Sequence, residues 1–255
     1  MKRWWPSLTV IGLSVALWQL VAMYGDLPAF VLPSPVAVAQ AAWKTRALLG
    51  AAVATTLVET AIGFALALGL SIALAAAMDF STWLRRALYP LLVVSQTVQI
   101  LAIAPLLIIW FGFGLAPKII IVVLICFFPL AVNTADGLAS ADPDYIALLR
   151  AMGATRAQIW RVVRVPAALP AFFSGLRVAV TYSVVGATIG EWVGGTAGLG
   201  LYMLRSKNAL ATDQVFVAIV ITSALSIGLY ALAYALERAA LPWYHTAQRT
   251  KLWND

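Results

Sequence analysis

A chain of 255 residues that is 63% hydrophobic and only 11% charged, with a mean hydropathy of +0.92, lies outside the range of soluble domains, which are about half apolar. A single cysteine excludes an intrachain disulfide, and a single histidine leaves no Cys/His cluster for a soft-ligand metal site. The formal net charge of +7 would suit nucleic acid, but the placement of the charges along the chain assigns it to membrane topology instead.

Hydrocarbon about 30 Å thick is crossed by roughly 20 apolar residues of helix. Six stretches have that character: 8–24, 50–78, 87–110, 119–135, 168–190 and 215–236. The sequence therefore predicts an all-α polytopic membrane protein. Residues 1–49 form a first span and outer linker, 50–238 a transmembrane core, and 239–255 a cytoplasmic tail.

The first span follows Met1-Lys2-Arg3, and no small-x-small cleavage site follows its apolar run, so it reads as retained. In Val31-Leu32-Pro33-Ser34-Pro35 the prolines favour an extended turn, and Ser34 can cap a helix that Pro35 begins. The second span is long enough to tilt or to begin as an interfacial helix. Along the third, Ser95 and Gln99 stand at i,i+4 and so on one predicted face, with Gln96 beside them. Cys126 lies in the apolar run of the fourth span as a small core residue, and Asn133 and Asp136 approach its end.

A short stretch then collects Arg150, Arg156, Arg161 and Arg164. It opens with Asp142-Pro143-Asp144, where Asp142 suits an N-cap, Pro143 the first helical position and Asp144 the positive end of the dipole. The helix is predicted to end at Met152, with Gly153 in the left-handed conformation. Thr155 and Gln158 have capping-box spacing, which starts a second helix at once. On it Ile159, Val162, Val163 and Pro166 can face the bundle, with Arg156, Trp160 and Arg164 along another side. Pro166 and Pro170 are expected to break or bend it before the fifth span. The product is a rigid helix–turn–helix, shaped to be gripped.

In the fifth span and its extension, Thr181, Thr188, Glu191 and Trp192 are predicted to share a face. Gly186 and Gly190 form a G-x-x-x-G pair that allows close helix packing. Gly194–Gly200 is read as a flexible outer loop or re-entrant segment.

With the N-terminus inside, the inner side collects eleven basic residues: Lys2, Arg3, Arg85, Arg86, Arg150, Arg156, Arg161, Arg164, Arg238, Arg249 and Lys251. The outer side holds Lys44, Arg46, Lys118, Arg205 and Lys207, and Arg177 lies inside a span. This asymmetry is the positive-inside signature and places both termini in the cytoplasm. Polar groups within spans face protein or water. Arg177 is read as snorkelling, Asp136 as a cap or brace for the basic loop, and Glu59 as a helix-packing or near-interface residue, with a transport role as its alternative. The faces carrying Ser95, Gln96, Gln99 and Asn133, and Thr181, Thr188, Glu191 and Trp192, are candidates for a solute path or for interhelical hydrogen bonding.

The spacing of small or apolar residues, Gly153, and Pro166 thirteen residues later resembles the "EAA" loop of ABC importer permeases, with Ala147-Leu148-Leu149 in place of Glu-Ala-Ala. The resemblance runs from about Leu32 to Leu236. It includes Leu32-Pro33-Ser34-Pro35, Ile109-Trp110-Phe111-Gly112-Phe113-Gly114, Phe127-Phe128-Pro129 and Gly198-Leu199-Gly200, which look like the taurine, sulfonate and nitrate branch. Ser95-Gln96-Thr97, Ala102-Ile103-Ala104-Pro105, Asn133-Thr134-Ala135-Asp136-Gly137 and Gly190-Glu191-Trp192 look closer to permeases for thiamine-pyrimidine precursors or riboflavin.

That resemblance implies a permease in the bacterial inner membrane, paired with a second permease subunit, by default a copy of itself. An ABC ATPase dimer and an extracytoplasmic solute-binding protein complete the assembly. It assigns the ATPase-coupling role to Leu149, Arg150, Met152, Gly153, Ala154, Thr155, Arg156, Ile159 and Pro166. The chain has no G-x-x-x-x-G-K-[ST] phosphate cradle, so ATP and Mg are expected on the partner ATPase and no cofactor or metal on this chain. No nucleic-acid partner is expected. An acidic Glu191 beside Trp192 suits a neutral or cationic aromatic solute, with taurine, an alkanesulfonate or nitrate as the alternative. A secondary transporter would need inverted repeats, and a membrane enzyme clustered catalytic groups; neither is visible.

Overall fold

The computed structural model describes residues 5–25, 28 and 30–244. Lys2, Arg3, His245, Arg249 and Lys251 lie outside them, as does most of the predicted tail. Among the described residues every regular element is helical.

α1 (Trp5–Tyr24) is an apolar helix whose Trp18 packs on Phe216 with ring centroids 5.4 Å apart. Its Ile11, Leu13, Leu17 and Leu20 are exposed, as suits a helix turned toward lipid. The proline turn behaves as expected. Ser34 accepts a hydrogen bond from the Ala37 N–H at 3.2 Å, and Pro35 opens α2 (Pro35–Lys44).

α3 (Arg46–Phe80) is 35 residues long, which at about 1.5 Å per residue exceeds the hydrocarbon thickness. Its buried stripe, Ala52, Thr56, Glu59, Gly63, Ala67, Ser71, Ala75 and Met78, recurs every three or four residues. Small side chains there let it approach α6 (Leu115–Ala139) closely, because association in lipid depends on packing rather than on hydrophobic burial. The long helix α9 (Val165–Gly194) packs against both α6 and α3. The predicted Gly186/Gly190 contact is present. A Cβ on Gly190 would stand 3.0 Å from the Lys118 Cα, and one on Gly186 3.2 Å from the Val122 Cα. α11 (Thr212–Ala240) closes the bundle against α9.

The third predicted span is not one helix. It divides into α4 (Thr82–Ser95) and α5 (Ile100–Phe111), bent by 101°. The Ser95 and Thr97 hydroxyls bond the carbonyls of Leu92 and Val94, at 2.8 and 2.7 Å, and so compete with the helical ladder. Gln99 then takes an extended conformation as the N-cap of α5. Apolar length alone does not reveal such a break, since the polar run is only five residues.

The predicted flexible outer loop is also different. α9 continues to Gly194, and Leu199 opens a further helix, α10 (Leu199–Asn208). Gly198, at φ +115°, makes the turn between them.

Candidate functional site

The basic stretch folds largely as its sequence prescribes. α7 (Pro143–Ala151) starts at Asp142, whose carboxylate accepts the Asp144 N–H at 2.9 Å. It ends in a turn where Gly153 has φ +82° and the Ala154 N–H reaches back to the Leu149 carbonyl at 2.9 Å. Both halves of the capping box form at Thr155 and Gln158, and α8 (Arg156–Ile159) begins there.

The next turn of the chain departs from expectation. Residues Trp160–Arg164 form a π-helical turn that runs directly into α9, so Pro166 and Pro170 lie inside a continuous 39-residue helical stretch, Arg156–Gly194. The Val165 N–H bonds the Trp160 carbonyl, an i→i−5 step placed immediately before the Pro166 ring that would crowd a regular ladder. The register change leaves Val162 exposed rather than facing the bundle, while Ile159 is buried against Ile146 and Ala141.

Two contacts tie this module to the end of α3. Arg164 pairs with Asp79, and Trp160 stacks on Phe80 with centroids 5.6 Å apart at 28°. Asp79 was missed by reading spans, although a carboxylate directly after the apolar run ending in Met78 is a visible signal. Met152, at the tip, is 73% exposed, and Arg150, Thr155 and Arg156 are exposed beside it. The result is a cationic tip, braced against the end of α3 and open outward.

The polar residues within the spans sort into three groups. Glu191 is fully buried, accepts a hydrogen bond from the Thr56 hydroxyl at 2.7 Å, and also accepts the Gly200 N–H. It therefore caps α10 and joins α3, α9 and α10. Thr188 is buried on the same side, whereas Trp192 is 45% exposed on an open stripe with Val178, Tyr182 and Val185. The single face predicted for these residues is thus divided between packing and an open surface. Thr181 donates to the Arg177 carbonyl, and Asn133 to that of Pro129, both at 2.7 Å. Ser95 and Gln99 do not share a helical face, because the chain bends between them; Gln96 sits in the bend.

Apart from Glu191, the buried charges of the described residues are paired. Glu59 pairs with Lys118, both almost wholly enclosed, which makes Glu59 a packing residue and removes Lys118 from the outer loop. Arg177 does not snorkel alone; it meets Glu237 of α11 at 3.0 Å. Asp136 braces α4, accepting from the Tyr89 hydroxyl at 3.1 Å with Arg85 at 3.9 Å, rather than the basic loop.

These features match known proteins. Over residues 65–241 the chain matches the family described as the binding-protein-dependent transport system inner membrane component. It is 38% identical to a probable ABC transporter permease of Haemophilus influenzae, over 88% of this chain and 91% of the relative. It is also 38% identical to a formylaminopyrimidine transport permease of Halalkalibacterium halodurans, over 93% and 95%. A riboflavin transport system permease of Chloroflexus aurantiacus is 36% identical, over 94% and 91%. A crystal structure of an amino acid ABC transporter with histidines shares the fold at a TM-score of 0.64 and 16% identity, covering 77% of this chain and 95% of that one. The chain belongs to the binding-protein-dependent ABC transporter permeases, as a multi-pass inner-membrane component of transport.

Proposed function

We propose that this chain is the permease subunit of an ATP-driven importer and that the segment 142–166 is its coupling element. One observation carries the reading: an outward-facing capped turn at Gly153 is fixed to α3 through Asp79 and Phe80 and continues without a break into α9. A displacement of the tip is thereby delivered to two core helices at once. Leu149, Ala154 and Ile159 hold the turn, while Arg150, Met152 and Arg156 face the partner. Two permease copies, an ATPase dimer carrying ATP and Mg, and an extracytoplasmic binding protein complete the assembly, with both termini of this chain and the 142–166 segment in the cytoplasm.

The proposed solute is a small heterocycle of the pyrimidine thiamine-precursor or riboflavin kind. The names of two relatives support it, as does Trp192, which offers an aromatic surface on the open stripe of α9. Ser95, Gln96, Gln99, Asn133, Thr181 and Thr188 remain candidates for the path. Glu191 is better read as the support behind Trp192, since its carboxylate is spent on α10. Aliphatic-sulfonate and taurine permeases at 30% and 28% identity supply the alternative, an anionic solute. A thermal-shift screen of the cognate binding protein against pyrimidines, flavins, sulfonates and nitrate decides between them. Stabilisation by taurine or an alkanesulfonate, with none by the heterocycles, would overturn the heterocycle reading.

A further inference from the structure

The α4–α5 bend lies at mid-depth in the membrane. Leu92 of α4 packs with Ala131, Ala135 and Leu138, near the end of α6, while Ala104 and Leu107 of α5 pack with Ile121, near its start. Residues 95–99 are therefore level with the centre of α6, a 25-residue apolar helix, whichever way the chain is oriented. At that depth Gln96, Thr97 and Gln99 are exposed. The Ser95 and Thr97 hydroxyls are satisfied by backbone carbonyls. The Gln96 and Gln99 side chains form no hydrogen bond among the described residues, and that of Gln99 does not cap α5.

Lipid does not suit this surface. Irregular backbone at membrane depth is tolerated only where it is buried in protein or lines water, and exposed polar side chains follow the same rule. The surface is also neutral. Residues 87–117, which hold all of α5 and most of α4, contain no Asp, Glu, Lys or Arg. The two cations within the spans are engaged elsewhere, Lys118 by Glu59 and Arg177 by Glu237. The bend thus presents two primary amides, each with a donor and an acceptor side by side. That is the pairing with which glutamine reads the amino and ring-nitrogen edge of adenine. An anion passing there would shed water without gaining a counter-charge. Ile189 and Val193 of α9 pack against the α5 cluster, so the segment of α9 that carries Trp192 borders α5.

We propose that the α4–α5 bend is the selecting point of the solute path, where Gln96 and Gln99 hydrogen-bond the edge of an uncharged aminopyrimidine-like or amide-like solute in water and disfavour an anion. The chain then discriminates within the membrane itself, by the chemistry of two neutral side chains. The inference rests on the reading of this chain as an importer permease, and it adds the residues and the charge rule by which the path selects.

The test places single cysteines in the full-length Cys126→Ala chain in its membrane, at Gln96→Cys and Gln99→Cys. Leu13→Cys on α1 serves as the lipid-facing reference and Thr196→Cys as the aqueous one, and each variant is checked for elution as the wild-type oligomer. The probes are a neutral and an anionic thiol reagent of similar size, hydroxyethyl and sulfonatoethyl methanethiosulfonate; the second is itself an alkanesulfonate. A thiol reacts as its thiolate, which hydrocarbon suppresses, so positions 96 and 99 should react with the neutral reagent about tenfold faster than position 13. Their neutral-to-anionic rate ratio should exceed that at position 196 several-fold. Rates as slow as at position 13 would overturn the water-facing bend. A ratio equal to that at position 196 would overturn the charge rule. Oxidative cross-linking of position 96 between two copies, with no reaction toward either reagent, would assign the bend to packing between subunits and overturn the proposal. None of these rates depends on ATP hydrolysis, so a failed coupling assay and a failed selecting point are read separately.

Discussion

The Thr56 hydroxyl of α3 donates to the Glu191 carboxylate of α9 at 2.7 Å, and the same oxygen accepts the Leu199 N–H at 2.9 Å. With the Gly200 N–H on the carboxylate, the start of α10 is stitched to two core helices. All of these groups are buried, so the Leu199 and Gly200 N–H groups depend on Thr56 and Glu191 for their partners. Thr56→Val keeps the shape but leaves the Leu199 N–H unmet, and should cost about 1–3 kcal/mol. Glu191→Gln should cost a similar amount, since its amide can present a donor where two donors already point. The double variant should fall short of the sum, with coupling of about 0.5–3 kcal/mol in thermal unfolding of the detergent-solubilised protein. Strict additivity would refute the shared network.

The Glu59–Lys118 pair predicts a different pattern. Glu59→Gln or Lys118→Met alone strands a buried charge and should destabilise by about 3–5 kcal/mol. Joined, the two substitutions remove both charges and should recover most of the loss. Failure of the double variant to recover would mean that the groups act separately, and a loss of uptake at unchanged stability would return Glu59 to the transport path.

At the coupling module, Asp79→Asn should release Arg164 and loosen the tip from α3. The expected result is a several-fold fall in ATP-coupled uptake with normal insertion, partly restored when Arg164→Gln is added. An unchanged transport rate would show that the brace is dispensable.

Helix starts and stops were legible because they are local. Asp142, Gly153 and the Thr155/Gln158 box each state their geometry within four residues, and the structure follows them. The apolar runs likewise announced the spans. What escaped was set by competition or by distance. The bend at Gln96 depends on hydroxyls capturing backbone carbonyls, which a hydropathy count cannot weigh. The π turn at Trp160–Arg164 accommodates a proline that periodicity alone would treat as a break. Lys118 looked like an outer-loop charge until α3 brought Glu59 to it, and Glu191 looked like a path residue until Thr56 and Gly200 took its oxygens.

Topology gives an independent check. In a Cys126→Ala background, Arg156→Cys should be inaccessible to a membrane-impermeant thiol reagent in intact cells and should react once the membrane is opened. Thr196→Cys, on the loop before α10, should react in intact cells. The reverse pattern would invert the orientation drawn from the basic residues.

The claim that residues 142–166 couple ATP hydrolysis to transport meets its most direct test at Gly153. Its φ of +82° is costly for a branched side chain, by about 1–2 kcal/mol, so Gly153→Val should shift the turn that aims Arg150, Met152 and Arg156. In proteoliposomes containing the ATPase subunit and the binding protein, the variant complex should assemble yet lose most binding-protein-stimulated ATP hydrolysis and solute uptake together. Stimulation and uptake at the wild-type level in that assembled complex would contradict the assignment of this segment as the coupling element.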